Sequence, residues 1–474
     1  MLKKRRKKEG IAMENFGILT IAPILLVVII SIKTKRTMVA LLLGTILSYI
    51  IVSGPDFISS WTQGFLNATL NLDHLWVFAV CGLFGSLITL ITASHGTLAF
   101  GKFLEKRCKN DKSTLLTTWI LGIFIFIDDY LNILTLSTCM KDVSDKRKIP
   151  REALAYVIDS TGAPVCVLLP FSTWAIFFAT LFYNQEGVAE LGYGNPLQTY
   201  MHIIPYIFYA LIAVILVPLF ILNIIPKLGG MKNAYRRVEE TGLVYDPTDD
   251  TLNKDDLLSR QACFSSGPID NNLLDFIVPI GALIGLTLLQ GQLLYAIFAS
   301  LALCFFMYIP RKKIKIKEYF SLIFHGFCSM IPTVGIILAA FVMEEAMTEI
   351  GISSFIIESL NPLLSPGVFP MLAFFATALL TFSTGSSWGI PAICIPILMP
   401  LGFSIGAAPI LVMAAIVSGA TLGSHACFYS DATVLTSSCC KIKNMEHALT
   451  QLPYATCAAL LCATSYLALG IAFS

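Results

Sequence analysis

Charge is what this chain has little of. Only 13% of its 474 residues are Asp, Glu, Lys or Arg, about half the ~25% usual in soluble domains. Lys and Arg are absent altogether from 318 to 440. A water-soluble fold could not hide 56% hydrophobic residues at a mean hydropathy of +0.77, so the bilayer is the expected solvent. The 13 cysteines include no CxxC pair and no Cys/His cluster with zinc spacing, which argues against a redox or zinc site. Most lie in apolar runs (Cys81, Cys166, Cys304, Cys394, Cys457, Cys462) and read as small buried hydrophobes. No GxxxxGK[ST] loop occurs, so nothing points to ATP. No small-residue cleavage site follows the first apolar run, against a signal peptide. The net charge of +2 gives no reason to expect nucleic acid.

A spanning helix needs about 20 mostly apolar residues. Candidates are 16–32, 38–54, 75–94, 152–182, 201–225, 273–290, 293–309, 320–345, 407–434 and 447–472, about ten in all. Two further apolar stretches, 114–140 and 366–401, carry polar residues at their middles. Basic clusters mark cytoplasmic loops. They occur at 33–36, 102–112, 141–151, 227–260, 311–317 and 441–443, whereas 183–200 has no Lys or Arg. With both flanks inside, 114–140 is expected to enter and return as a re-entrant hairpin tipped near Asp128-Asp129. By the same reasoning 366–401 is a hairpin entering from outside.

The expected fold is therefore all-α and polytopic, in two halves of opposite orientation with broken helices, the plan of many secondary transporters. The first repeat is 16–225 and the second 273–474. The segment 226–272, with eight acidic and six basic residues, is expected to be a solvated cytoplasmic linker. This plan puts the mature N-terminus outside, against the basic KKRRKK run in segment 1–15. Met13, preceded by codons that can encode a ribosome-binding sequence, is expected as the true start.

Four motifs carry the polar chemistry. In FIDDYLN, Asp128 and Asp129 lie midway between Lys112 and Lys141. One aspartate at mid-membrane costs about 2.5–3.5 kcal/mol, so a pair there needs a proton or bound cation; a wet boundary is the blander reading. In IDSTGAPVCVLLPFSTW, Asp159, Ser160, Thr161, Ser172 and Thr173 surround Gly162, Pro164 and Pro170. Proline frees carbonyls, and a broken helix offers carbonyls to a cation and a half-helix N-terminus to an anion. In FSTGSSWG, Ser383, Thr384, Ser386 and Ser387 supply neutral oxygens suited to a hard cation, although such residues also glue helices together. In GATLGSH and SDAT, His425 titrates near neutral pH, and Ser430, Asp431 and Thr433 follow. Asn132 completes the first motif. Glu344-Glu345 read as solvated, and His325 and Trp119 as interfacial.

FIDDYLN, IDSTGAPVCVLLPFSTW, STGSSWG and SDATVLTSS, in this order, resemble the NhaC family of sodium/proton antiporters, within the wider ion transporter superfamily, over nearly the whole chain. The resemblance implies sodium-coupled secondary transport, with hairpins and broken helices meeting at a central site in a domain that moves against a scaffold, in a superfamily that often forms dimers. The family's Gly-Asp-His-Cys reads Gly423-Ser424-His425-Ala426-Cys427 here, so a carboxylate is missing where charge would be handled. The expected activity is Na+/H+ antiport in a bacterial inner membrane, with Na+ held near Asp128, Asp159, Ser386 and Asp431. The expected partners are lipid, Na+, protons and a second copy of the chain, with no cofactor and no catalysis. The alternative is Na+-coupled transport or exchange of a small organic acid or amino acid, of malate/lactate type. An intramembrane aspartyl protease is disfavoured by the absence of a GxGD motif, and a passive channel by the repeats.

Overall fold

A computed structural model describes residues 16–34, 37–96, 99, 108–246, 272–290, 293–351, 364–385, 387–428 and 430–473. The basic segment 1–15, residues 247–271 of the linker, residues 352–363 and Ser386 lie outside the described residues, as do the side chains of Ser383, Thr384 and Asp431.

Every described element is helical. The first half runs α1 (Ala22–Thr34), α2 (Thr37–Ser53), α3 (Phe57–Leu70), α4 (Leu72–Ala93), α5 (Asp111–Phe124), α6 (Asp129–Lys146), α7 (Arg151–Thr161), α8 (Ala163–Leu168), α9 (Thr173–Tyr183), α10 (Pro196–Ile203) and α11 (Phe208–Ile221). After α12 (Gly229–Thr241) come α13 (Leu274–Gln290), α14 (Leu293–Tyr308), α15 (Ile316–Ser329), α16 (Ile331–Ile350), α17 (Phe369–Thr384), α18 (Gly389–Ser404), α19 (Pro409–Ala426), α20 (Asp431–Cys440) and α21 (Asn444–Phe473).

The repeat is visible in the element bounds. Helices α2, α3, α4, α5, α6, α7 and α9 begin 256–260 residues before α14, α15, α16, α17, α18, α19 and α20, respectively. The hydrogen bonds repeat too. Ser172 Oγ donates to the Cys166 carbonyl (2.6 Å) and caps α9 by accepting from Ala175 N–H (3.0 Å). Ser430 Oγ donates to the Ser424 carbonyl (2.6 Å) and caps α20 by accepting from Thr433 N–H (3.3 Å). Each serine bridges one break with the same two bonds.

Breaks also account for the number of spans. Among the described residues, four helical stretches, 38–70, 74–93, 409–426 and 444–473, are long and apolar enough to cross a bilayer unaided, or up to six if each bent pair is one span. The pairs 151–168/173–183 and 196–206/208–221 bend by 41° and 54°. The count of about ten rests on hydropathy alone, which does not register where an apolar run is divided. The expected span 320–345 is one such case: it is cut at Met330 into α15 and α16. Segment 55–74, assigned to no span, carries α3 instead.

The halves interlock. Helix α4 packs on α15, and α2 on α16. The α4–α15 crossing is glycine against glycine: a Cβ on Gly85 would lie 2.3 Å from the Gly326 carbonyl oxygen, and one on Gly326 2.5 Å from that of Gly85. Small residues permit such close approach between membrane helices. The return arms α6 and α18 pack against α20 and α9, each from the opposite half.

Part of the linker is docked rather than merely solvated. On α12, Arg237 grips Glu152 with two bonds of 2.8 and 2.9 Å, and Leu228 N–H donates to Tyr454 Oη of α21 (3.0 Å). Glu152 is buried. Of the residues expected at interfaces, His325 is exposed, whereas half-buried Trp119 donates from Nε1 to the Val214 carbonyl (3.0 Å), tying α5 to α11. Glu345, half-buried, accepts from Asn67 of α3 (3.1 Å).

Stranding a buried carboxylate is costly, whereas exposed pairs contribute little. Arg237→Ala is expected to lower the stability of the detergent-purified protein by about 2 kcal/mol, and Glu152→Ala/Arg237→Ala to recover part of it. Thermal unfolding measures both, and an unchanged midpoint in Arg237→Ala would show that α12 is not held by this pair.

Candidate functional site

The first aspartate pair sits where a helix cannot continue. Helix α5 begins with a capping box between Asn110 and Ser113 and ends at Phe124. Residues 125–128 are non-helical, and Asp128 caps α6 by accepting from Leu131 N–H (3.1 Å). A buried cap could be any Ser or Asn. This one is a carboxylate 4% exposed, and its second oxygen accepts from Thr173 Oγ1 (3.2 Å) at the start of α9. Asp129 is 3% exposed.

Asp128 faces a cavity of about 80 Å³ lined by Cys81, Asp128, Tyr130, Thr173, Ser329, Met330 and Trp388. These come from four interruptions and one continuous helix. Asp128 and Tyr130 lie at the first hairpin tip, and Thr173 at the first broken helix. Trp388 lies at the second hairpin tip, and Ser329-Met330 at the α15/α16 break. Cys81 comes from α4. Of these, Ser329 is exposed and Met330 half-buried. Trp388 packs on Trp174 (5.1 Å between centroids) and Phe177 (5.0 Å). The volume suffices for a few waters or a small partly hydrated cation.

Asn132 serves the frame. Its Nδ2 donates to the carbonyls of Gly122 (2.7 Å), Ile125 (3.0 Å) and Thr161 (3.0 Å), stitching both hairpin arms to α7. Thr161 Oγ1 donates to the carbonyls of Val157 and Ile158 (2.9 and 3.1 Å). A Cβ at Gly122 would lie 2.2 Å from that Oγ1, so the approach requires glycine.

Asp159 does not line the cavity. Fully buried, it accepts from Gln451 Nε2 (2.8 Å) and lies 3.1 Å from His447 Nε2, both on α21. Gln451 also donates to the His425 carbonyl. His425 Nε2 lies 3.0 Å from Ser160 Oγ, and its Nδ1 lies 2.7 Å from Tyr209 Oη. This second buried network joins α7, α11, α19 and α21 beside the break at Gly162. Of the other expected residues, Thr433 is buried with Ser430, whose Oγ lies 2.9 Å from Thr433 Oγ1; Ser387 is buried at the second tip.

Sequence reasoning did not single out Cys81, Tyr130, Ser329, Met330, Trp388, Tyr209, His447 or Gln451 as site residues. Two of these groups had a signal. His447 and Gln451 are four apart, on one face of a long apolar helix, and Pro332 follows Met330 closely enough to mark a break.

A family model described as the Na+/H+ antiporter family matches residues 178–471. The chain belongs to that family. It is 25% identical to an uncharacterized protein of Haemophilus influenzae over 494 residues, 96% of this chain and 91% of the relative. The fold is similar to that of the Alcanivorax borkumensis YdaH transporter, with a TM-score of 0.55, 12% identity and coverage of 89% of this chain and 90% of that one. Neisseria gonorrhoeae MtrF, from a class of antimetabolite efflux pumps, matches with a TM-score of 0.48, 13% identity and coverage of 87% and 83%. This member of the antiporter family is a multi-pass membrane protein and a secondary transporter, not an enzyme.

Each neutral hydrogen bond contributes about 1 kcal/mol net, and orphaned buried carbonyls cost more. Asn132→Ala, which removes the two N–H donors shared by the Gly122, Ile125 and Thr161 carbonyls, is expected to destabilise the protein by about 2–3 kcal/mol, read as loss of folded protein in detergent size-exclusion or a lowered unfolding midpoint. A variant as stable as the parent would show that the hairpin is held by other means.

Proposed function

We propose that this transporter exchanges Na+ for H+ across the bacterial inner membrane, and that the two cations compete for the Asp128 carboxylate. The observation that supports this best is a buried carboxylate facing a cavity whose described lining contains no cationic side chain. A carboxylate in a bilayer is tolerable when it carries either a proton or a bound cation, so occupation by one excludes the other. Thr173 and Ser329 hydroxyls, with waters, supply further oxygens, as hard cations require. Asp129 is read as a second acid at the same tip, and Ser386 and Asp431 as contributors from the second half. Asp159, held by α21, is read as the charge that ties the broken helix to its neighbours during transport.

Alternating access follows from where the cavity lies. Two hairpin tips and the start of α9 meet α4 and the α15/α16 break there. Movement of the tips against those helices would open the cavity to one side and then the other. The organic-acid reading has less support, because the described lining of the cavity includes no Lys, Arg or His to meet a carboxylate.

Everted vesicles from a host lacking its own antiporters test the reading. Added Na+ is expected to collapse a preformed acid-inside pH gradient, with Asp128→Asn, expressed at equal level, abolishing the response. Absence of Na+-dependent collapse at every pH tried would overturn it.

A further inference from the structure

The walls of the Asp128 cavity are unusual for an inorganic cation. Hard cations surround themselves with about six or more oxygens. Three of the seven lining residues offer carboxylate or aliphatic hydroxyl oxygen, namely Asp128, Thr173 and Ser329. The remainder are a thiol, a thioether, a phenol ring and an indole, from Cys81, Met330, Tyr130 and Trp388. Sulfur and aromatic faces are soft and weakly polar. They suit carbon attached to a positive charge better than a bare alkali ion.

The hydroxyls are also already oriented. The Thr173 hydroxyl donates its proton to Asp128 Oδ2 (3.2 Å), and the Ser329 hydroxyl donates its own to the Gly326 carbonyl (2.6 Å). Both oxygens therefore present lone pairs only. An ionised Asp128 is likewise an acceptor. An alkylammonium group has three N–H donors and no acceptor. Three acceptors together with soft apolar groups in one lining match such a group and its carbon chain. Trp388, 6% exposed and backed by Trp174 and Phe177, presents a desolvated aromatic wall on which cation–π attraction is strongest.

We propose that the cavity binds small primary alkylammonium ions, with Asp128, Thr173 and Ser329 accepting from the ammonium and Trp388 flanking its charge and first carbons. This rests on the cation-exchange reading of Asp128 and names a further class of cation for that site. The described lining offers nothing positive to a carboxylate, so an amine without an acid group is the matching ligand.

The full-length protein in detergent, titrated at constant pH and ionic strength, tests it through the unfolding midpoint. Propylammonium chloride is expected to raise the midpoint saturably and to compete with Na+. Propanol, propionate and propyltrimethylammonium, which lack the charge, reverse it or lack the N–H donors, are expected to give no saturable shift. Trp388→Leu and Ser329→Ala are each expected to raise the half-saturating amine concentration about five- to tenfold, and Asp128→Asn to remove the response. Should the variants fold poorly, the ligand series on the parent protein decides alone. A response to Na+ without one to propylammonium, an equal response to the trimethylated ion, or a response to propionate would each overturn the proposal. The vesicle assay keeps the two readings apart: Na+-dependent collapse without amine binding leaves cation exchange standing and removes this inference, whereas amine binding without collapse does the reverse.

Discussion

A polypeptide inside hydrocarbon must satisfy every amide and carbonyl it exposes, because no water is there to do so. The rest of this structure depends on how that constraint is met at the places where helices stop. Two serines, Ser172 and Ser430, each donate to a carbonyl six residues earlier and accept from an amide three residues later. Asn132 carries three carbonyls of the first hairpin and its neighbour on one amide nitrogen. At the start of α6 the carboxylate of Asp128 does this work itself, accepting from Leu131 N–H with one oxygen and from the Thr173 hydroxyl with the other. A charged group placed in a continuous apolar helix would have no free dipoles near it; placed at a helix start, it meets unpaired amides.

The two halves are alike in plan and unlike in chemistry, and the cavity draws on that difference. Asp128 and Trp388 hold the same position, the residue immediately before α6 and before α18. Both line the cavity. Thr173 and Asp431 likewise begin α9 and α20. One half contributes the charge at its hairpin tip and the other an aromatic wall at the matching place. Cross-packing of each return arm on the other half's short helix means that neither tip can shift without pressing on the opposite repeat. The α4–α15 crossing, by contrast, is a direct backbone approach of Gly85 on Gly326.

The sequence was most readable where local chemistry and loop charge agreed. The tip at Asp128 lies midway between basic flanks, and the broken helix announces itself through Gly162, Pro164 and Pro170. These are short-range signals, carried by the same residues that make the break. Contacts between segments far apart in the chain leave no such trace. Arg237 lies 85 residues from Glu152, and His447 288 residues from Asp159. A lone histidine and glutamine on an apolar helix look the same whether they glue helices together or hold a carboxylate. The amphipathic α3 and the cut at Met330 were hidden for another reason: hydropathy averaged over a span-length window cannot register a turn a few residues long.

The departure at Ser424 bears on where charge is handled. Members resembling this family carry Asp before the histidine, in the middle of what is here the network of Asp159, His425, His447, Gln451, Ser160 and Tyr209. Ser424 is 1% exposed, and its carbonyl is taken by Ser430. A second carboxylate beside Asp159 would have to share the same few donors, and like charges in a low-dielectric interior repel strongly. Without it, among the described residues, the Asp159 carboxylate is held by one histidine, His447, and the Gln451 amide, with His425 bonded to its neighbours Ser160 and Tyr209. Charge is thereby simplified on the Asp159 side, while Asp128 keeps an open cavity and an adjacent acid in Asp129. The buried carboxylates thus differ in setting: Asp128 faces a cavity, whereas Asp159 is bonded to His447 and Gln451 within the network beside the break at Gly162.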